Sequence, residues 1–199
     1  MKTITSLRCS AALVMLLCSN ALHTRSTIYF TPDDKPLRPL TTLLRNAEKH
    51  ILVCVYQFSH RALAQHLCAA QKRGCKVEVI VDSSTLEMKN HVVDILRNAT
   101  VPVFVYHAPQ GNHLCHHKYA VIDNETWTGS LNWTYRGFKN NQENAVHCDE
   151  KPIAQRYAQQ FALLKKRCER LVPLRNTAGL TSEKGMWERL RGAVARLLR

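Results

Sequence analysis

Short apolar runs alternate with segments of helical periodicity through the first half of the chain. Residues 50–58 and 76–82 are rich in β-branched residues, which predicts two buried strands. Apolar residues recur at helical spacing over residues 61–73 and 89–98, and residues 101–107 form another apolar run. This β-α-β-α-β order predicts an α/β domain, built as a mixed central β-sheet flanked by helices.

The second half continues the sheet and closes the domain. Residues 116–123 predict a strand, residues 127–128 its antiparallel return, and residues 145–147 a further strand. A helix over residues 151–168 completes the pattern. We therefore expect one domain over residues 27–170, with a separate segment on either side of it.

The N-terminal segment has the order of an export signal. Lys2 and Arg8 precede an apolar run over residues 11–18, and the small residue Ala21 offers a cleavage point. The run is shorter than the roughly 20 apolar residues that span a bilayer. We expect residues 1–21 to direct export, to a periplasm or out of the cell. A mitochondrial transit peptide and an uncleaved membrane anchor are the alternatives.

The chain is strongly basic, with 28 Lys and Arg against 15 Asp and Glu and a net charge of +13. Such an excess favours polyanionic partners, either nucleic acid or an anionic membrane surface. Residues 165–199 alone contain ten basic and three acidic residues. In the tail over residues 171–199, positions 183–199 predict a basic amphipathic helix. This helix would contact a membrane, follow a nucleic-acid backbone or pack on its own domain.

The chain has eight cysteines, of which six would remain after removal of the signal. An even number is compatible with disulfides in an oxidising compartment, and their pairing stays open. Cys54 lies within an apolar run and is interpreted as a small buried residue. No CxxC pair occurs, so a structural zinc site has little support.

The residues with the most distinctive chemistry surround His116. Side chains two positions apart share one face of a strand, so His116 and Lys118 project together while His117 and Tyr119 point the other way. An ammonium can hold the anionic oxygens of a phosphate while an imidazole nitrogen attacks the phosphorus. We therefore predict His116 as a nucleophile and Lys118 as a phosphate ligand. The neighbouring histidines and Cys115 resemble metal ligands in composition, but the alternation separates them, so no metal is predicted.

Small polar residues follow the return strand. Ser130 and Asn132 can donate hydrogen bonds to phosphate oxygens, which predicts a phosphate-binding role for both. Glu143 is predicted to complete the catalytic set by accepting a proton from the far ring nitrogen of His116. Asp123 falls on the opposite face of the strand from His116. It is predicted to support the turn or the surroundings of the lysine.

The sequence His116-x-Lys118-x4-Asp123, followed by Gly129-Ser130-x-Asn132 and Glu143-Asn144, resembles the HKD signature of the phospholipase D superfamily. The similarity is greatest to its small single-motif members, the bacterial Nuc-like endonucleases and the mitochondrial cardiolipin hydrolases of the Zucchini group. The early Cys/His insertion of the Zucchini group is missing, which favours the bacterial type. The spacing from Asp123 to Gly129 is one residue shorter than in the family, and a tighter hairpin would accommodate the difference.

The resemblance implies a phospholipase D-like fold and a mechanism without metal or cofactor. The family's active site contains two HKD motifs, so a chain with one is expected to form a homodimer in which two copies of His116 meet at a twofold axis. One histidine would form a phosphohistidine, and the other would protonate the leaving oxygen.

Three functions are compatible with these features. The basic surface and the missing insertion favour a nuclease. A phospholipase D acting on phosphatidyl lipids such as cardiolipin is the alternative, favoured by the HHK and TGSLNWT sequence segments and by the amphipathic tail. A non-catalytic module that binds nucleic acid or membranes is the third, which the intact motif disfavours.

Overall fold

The computed structural model describes residues 26–109 and 113–174, so the predicted export signal and nearly all of the basic tail lie outside the described residues. The strands are β1 (Ser26–Thr31), β2 (His50–Val55), β3 (Lys76–Asp82), β4 (Val103–Tyr106), β5 (Lys118–Ile122), β6 (Glu125–Gly129), β7 (Glu143–Cys148) and β8 (Glu169–Arg170). The helices are α1 (Leu37–Asn46), α2 (Arg61–Lys72), α3 (Ser84–Glu87), α4 (Val93–Asn98), α5 (Tyr135–Lys139) and α6 (Lys151–Lys165).

The strands form one mixed sheet in the order β1-β7-β6-β5-β2-β3-β4-β8. β2, β3 and β4 are parallel and are connected through helices, as the alternation of the first half predicts. β5, β6, β7 and β1 continue the sheet antiparallel to one another. The predicted mixed central sheet with flanking helices is therefore confirmed.

Two apolar layers cover the sheet. On one face, alternate residues of β2 such as Val53 and Val55 pack against a cluster that includes Leu44 of α1 and Leu67 of α2. On the other face Cys54 belongs to a smaller cluster with residues of α6. Burial of both faces explains why β2 is an uninterrupted apolar run in the sequence.

Some predicted boundaries are wrong. The strand predicted from residue 116 begins at Lys118, and the final helix ends at Lys165 rather than at residue 168. The helix predicted from residue 89 begins only at Val93, and the amide of Val92 just before it donates to the carbonyl of Phe58. None of the helices within residues 26–109 and 113–174 has the length and apolar character needed to cross a membrane.

Candidate active site

Four chain segments meet at one edge of the sheet. The end of β2 lies beside the start of β5, with Val55 opposite Lys118. The end of β6 lies beside the start of β7, with Gly129 opposite Ala145. The antiparallel pairing of β5 with β6 joins these two pairs. The pieces of the motif, which are separated in the sequence, are therefore neighbours in the fold.

The predicted alternation of side chains around His116 is confirmed. The rings of His116 and Tyr56 are 4.6 Å apart between centroids, and the ammonium of Lys118 lies over the same Tyr56 ring. His117 instead contacts Tyr119, with 5.5 Å between ring centroids. His116 is exposed, whereas only 8% of Lys118 is accessible. The nucleophile candidate therefore faces solvent, with the ammonium behind it.

The ammonium of Lys118 is held close to the main chain of the motif. Its Nζ donates a 2.6 Å hydrogen bond to the carbonyl oxygen of His116 and lies 4.9 Å from the centroid of the Tyr56 ring. Burial lowers the pKa of Lys118 below its usual value, and the negative charge of Glu143 partly counteracts this effect. The negative charge of Glu143 thus favours the charged form of Lys118.

Gly129 allows β7 to approach residues 130–132, the segment that the sequence predicts to bind phosphate. Its backbone has a φ of 143°, a conformation that residues with a Cβ rarely adopt. A Cβ at this position would collide with the carbonyl oxygen of Asn144 on β7. This close approach lets the amide of Asn144 donate a 3.0 Å hydrogen bond to Oγ of Ser130.

Ser130 and Glu143 form the second half of the site. The hydroxyl of Ser130 donates to Oε2 of Glu143 at 2.5 Å, and Nδ2 of Asn141 donates to Oε1 at 3.1 Å. The carboxylate of Glu143 thus accepts hydrogen bonds from Ser130 and Asn141. Its predicted orientation of His116 stays a prediction.

Asn132 is anchored by a residue that the sequence reasoning missed. The amide of Gln57, just after β2, donates to Oδ1 of Asn132 at 3.2 Å. The Nδ2 group is consequently the end of this side chain that can donate to a phosphate oxygen. Trp133 is fully buried, with its ring edge-on to that of Phe58, so it packs behind the site and does not present a stacking surface.

Asp123 has a structural role at the far end of the hairpin. It occupies a two-residue turn between β5 and β6 with a φ of 52°, a conformation that Asp tolerates. Its carboxylate accepts hydrogen bonds from the amides of Glu48, Lys49 and His50 at 2.9 to 3.0 Å. Partial burial opposes ionisation, but these three donors outweigh it and hold the pKa of Asp123 below its usual value. The carboxylate thus ties the β5–β6 turn to residues 48–50, and the supporting role of Asp123 for the site stays a prediction.

The cysteines are free thiols among the described residues. Cys115 turns inward, and its Sγ lies 3.7 Å from that of Cys54, which is fully buried as predicted. The amide of Cys115 donates to the buried carboxylate of Asp82 at 2.8 Å. Cys115 and His117 therefore lie on the side of Tyr119, whereas His116 lies on the side of Tyr56. Residues 26–109 and 113–174 contain no cluster of three side chains arranged to bind a metal.

Tyr56 is the other residue of the site that the sequence reasoning missed. An aromatic residue at the end of an apolar run is typical of a core, so the sequence pattern does not separate Tyr56 from a core residue. Its position was the available signal, because ligands of α/β proteins bind beyond the carboxyl ends of parallel strands.

Comparisons with known proteins agree with this geometry. The model of the family described as cardiolipin synthase, phospholipase D-like domain, matches residues 40–165, which is more than half of the chain. The chain belongs to this family. The match includes His116, Lys118, Ser130, Asn132 and Glu143, so the predicted membership of the phospholipase D superfamily is confirmed, and the motif is that of a phosphodiesterase.

Relatives and solved structures in this superfamily resemble the chain to different degrees. The mitochondrial cardiolipin hydrolase of Xenopus tropicalis is 34% identical over 132 residues, which are 66% of this chain and 61% of that protein. A phospholipase D of Rickettsia felis is 28% identical over 72% of this chain and 70% of its own length. The chain thus spans less than two thirds of the cardiolipin hydrolase.

The fold agrees with that of two solved bacterial proteins. Nuc of Salmonella typhimurium, a phospholipase D family member, aligns with a TM-score of 0.69 and 20% identity over 75% of this chain and 99% of that chain. NucT of Helicobacter pylori aligns with a TM-score of 0.67 and 22% identity over 73% and 98%, respectively. The predicted phospholipase D-like fold is confirmed.

Proposed function

We propose that this protein is a phosphodiesterase that hydrolyses nucleic acid, with His116 as its nucleophile. The observation that carries the proposal is the pairing of the exposed imidazole of His116 with the ammonium of Lys118 over one tyrosine ring. A phosphate at this edge of the sheet would meet the imidazole on its solvent side and the ammonium on its protein side. The hydrogen-bonded pair of Ser130 and Glu143 borders the same edge.

The reaction proceeds in two displacements. A ring nitrogen of His116 attacks phosphorus, the bond from phosphorus to the leaving oxygen breaks, and that oxygen takes up a proton. Lys118 and Asn132 stabilise the additional charge on the phosphoryl oxygens in the transition state, and Ser130 joins them when its single hydroxyl hydrogen turns from Glu143 to the substrate. Water then attacks the phosphorus of the phosphohistidine and gives a proton to a general base. The bond from phosphorus to nitrogen breaks, which releases a phosphate monoester and regenerates His116.

The acid and base is His116 of the partner subunit in a homodimer. His117 does not supply it, since its ring turns towards Tyr119 on the other side of the chain. The sequence contains one HKD motif, and His116 is exposed, so a second copy can approach it. A twofold axis beside this edge would bring the two imidazoles to opposite sides of one phosphate.

Basic residues around the site support nucleic acid as the substrate. Helix α5 links Asn132 to Glu143 along the chain and exposes Arg136 and Lys139, and Arg61 is exposed where α2 begins. The amides of the two residues before Arg61 donate to the carbonyl of Trp133, so both helices lie beside the phosphate-binding segment. Several exposed cations beside a phosphate site suit a polymer with many phosphates.

A phospholipid is the second candidate substrate. A relative that is 34% identical is named a cardiolipin hydrolase, and Ile28 and Phe30 are exposed on β1. Phe30 pairs with Asn144, next to Glu143, so this apolar surface adjoins the site. Apolar residues near a headgroup site suit an enzyme that works at a lipid surface.

One assay separates these functions. The purified full-length chain and a His116→Ala variant are tested on single-stranded DNA, RNA and cardiolipin liposomes. We expect cleavage of nucleic acid by the wild type only, with at least a thousandfold loss in the variant. Turnover of liposomes alone would establish the lipid alternative. Binding without turnover would establish the non-catalytic module.

Sedimentation of the active enzyme tests the dimer, and a strictly monomeric active species would contradict it.

The exposed basic residues of α5 give a second test of the substrate. Replacement of Arg136 and Lys139 by Ala should raise KM for long DNA several-fold and reduce its salt dependence, with a smaller effect on bis(p-nitrophenyl) phosphate. The matched control replaces Lys151 and Arg156, two exposed basic residues of α6. Equal effects of both pairs would show that only overall charge matters.

A further inference from the structure

Tyr56 is fixed by its main chain at the point where β2 enters the site. Its amide donates to the carbonyl of His117 at 2.8 Å, which continues the pairing of β2 with β5 beyond the last residue of the strand. Its carbonyl accepts a 2.6 Å hydrogen bond from the hydroxyl of Thr85, which is completely buried. The amide and the carbonyl of Tyr56 thus both have hydrogen-bond partners, so the backbone that carries the ring is fixed in place.

The ring of Tyr56 contacts both of the groups that are assigned to the reaction. Its plane is inclined by 48° to that of His116, with the centroids 4.6 Å apart. The ammonium of Lys118 lies 4.9 Å from the centroid of the same ring. An aromatic face carries negative charge density, so it attracts cations. One half-buried side chain therefore contacts both the imidazole and the ammonium.

We propose that Tyr56 is a positioning residue for the nucleophile, a role that rests on the proposed function. Its ring limits the rotation of the exposed His116 side chain and so keeps one ring nitrogen directed at the phosphorus. When that nitrogen becomes phosphorylated, the imidazole acquires positive charge, and the aromatic face stabilises it. The same face keeps the ammonium of Lys118 within reach of the phosphoryl oxygens.

Two substitutions distinguish the ring from the hydroxyl. Tyr56→Phe keeps the aromatic face and should retain activity within about threefold. Tyr56→Leu keeps an apolar side chain without the face, and kcat should fall about tenfold to a hundredfold while KM changes little. In a single turnover, a quench with alkaline detergent, which preserves the phosphohistidine, should show slower formation of this intermediate in the leucine variant. Tyr157→Leu is the matched control, since the ring of Tyr157 contacts Tyr119 on the other face of the sheet.

The outcomes separate this proposal from the proposed function. A wild type that cleaves no phosphodiester refutes the function. An active wild type with equal kcat for Tyr56→Phe and Tyr56→Leu refutes the positioning role and leaves the function intact. If the leucine variant unfolds, Tyr56→Met provides a longer apolar side chain without a ring, and the same comparison with Tyr56→Phe applies. A rise in KM alone, with kcat unchanged, would assign Tyr56 to substrate binding and overturn the proposal.

Discussion

The hydroxyl of Ser130 donates a 2.5 Å hydrogen bond to the carboxylate of Glu143, across the pair of strands β6 and β7. The same hydroxyl oxygen accepts from the amide of Asn144 at 3.0 Å. Ser130 is therefore oriented by its neighbours before any substrate arrives. The carboxylate also contributes negative charge to the environment of Lys118.

The pH dependence of the enzyme should reveal this electrostatic link. The pKa of Lys118 is lowered by burial from a usual value of 10.5. As the pH rises, activity that needs the ammonium should therefore decline before the pH reaches 10.5. In Glu143→Gln the attraction that raises this pKa is lost, so the alkaline decline should begin at a lower pH. Profiles of kcat/KM for both proteins measure the shift, with Glu150→Gln as a control, and an unmoved or upward-moved decline would contradict the link.

Asp123→Asn should destabilise the fold without altering the chemistry. The carboxylate accepts three amide hydrogen bonds, and bonds to a charged group contribute about 1.5 to 3 kcal/mol to the free energy of unfolding. Because folding lowers its pKa, this contribution is present above the ordinary pKa of 3.8 and is lost as the pH falls through the lower folded value. Urea unfolding should show a gap between wild type and variant at pH 7 that narrows in acid.

The matched control for this measurement is Asp149→Asn, at an exposed carboxylate. A gap that is constant from pH 7 into acid would mean that the charge of Asp123 does not stabilise the turn. A loss of kcat that exceeds the loss of folded protein would return Asp123 to the active site.

Gly129→Ala should reduce both stability and activity. The new methyl group would need a φ near 143° and would collide with the carbonyl oxygen of Asn144. We expect a loss of about 3 kcal/mol in the free energy of unfolding, with displacement of the neighbouring Ser130. Gly74→Ala is the control, because Gly74 also has a positive φ, 97°, but faces open space. Thermal unfolding of the two variants would show similar losses if packing at Gly129 were unimportant.

Cys54 and Cys115 should be the first pair to become linked under a mild oxidant such as diamide, which accepts the two electrons and two protons that the thiols release. Their sulfurs are 3.7 Å apart and need to approach by roughly 1.6 Å to form a bond. The hydrogen bond from Cys54 lowers the pKa of Cys115, which favours the reactive thiolate there.

Peptide mapping by mass spectrometry detects this link, and a Cys54→Ser variant serves as the control. Activity should fall with linkage and return with dithiothreitol, because Cys115 directly precedes His116. A different linked pair, or full activity in the linked protein, would contradict the expectation.

The sequence predicts those parts of the fold and site that depend on local patterns. The strands and the shared face of His116 and Lys118 follow from a period of two, which needs no knowledge of distant residues. The target of Asp123 does not follow in this way, because residues 48–50 are more than 70 positions away in the sequence. Tyr56 was missed for the same reason, since its meaning depends on the pairing of β2 with β5.

Strand β1 begins the described domain but pairs with β7, near its end, and the amide of Glu143 donates to the hydroxyl of Thr31 across 112 positions of sequence. During synthesis, a ribosome must therefore complete almost the whole domain before the first strand finds its neighbour. His116 is made earlier than Glu143, whose carboxylate borders the same edge of the sheet. A truncated chain would have the histidine and the lysine but no bordering carboxylate, so the candidate site is complete only when translation of the domain is nearly finished.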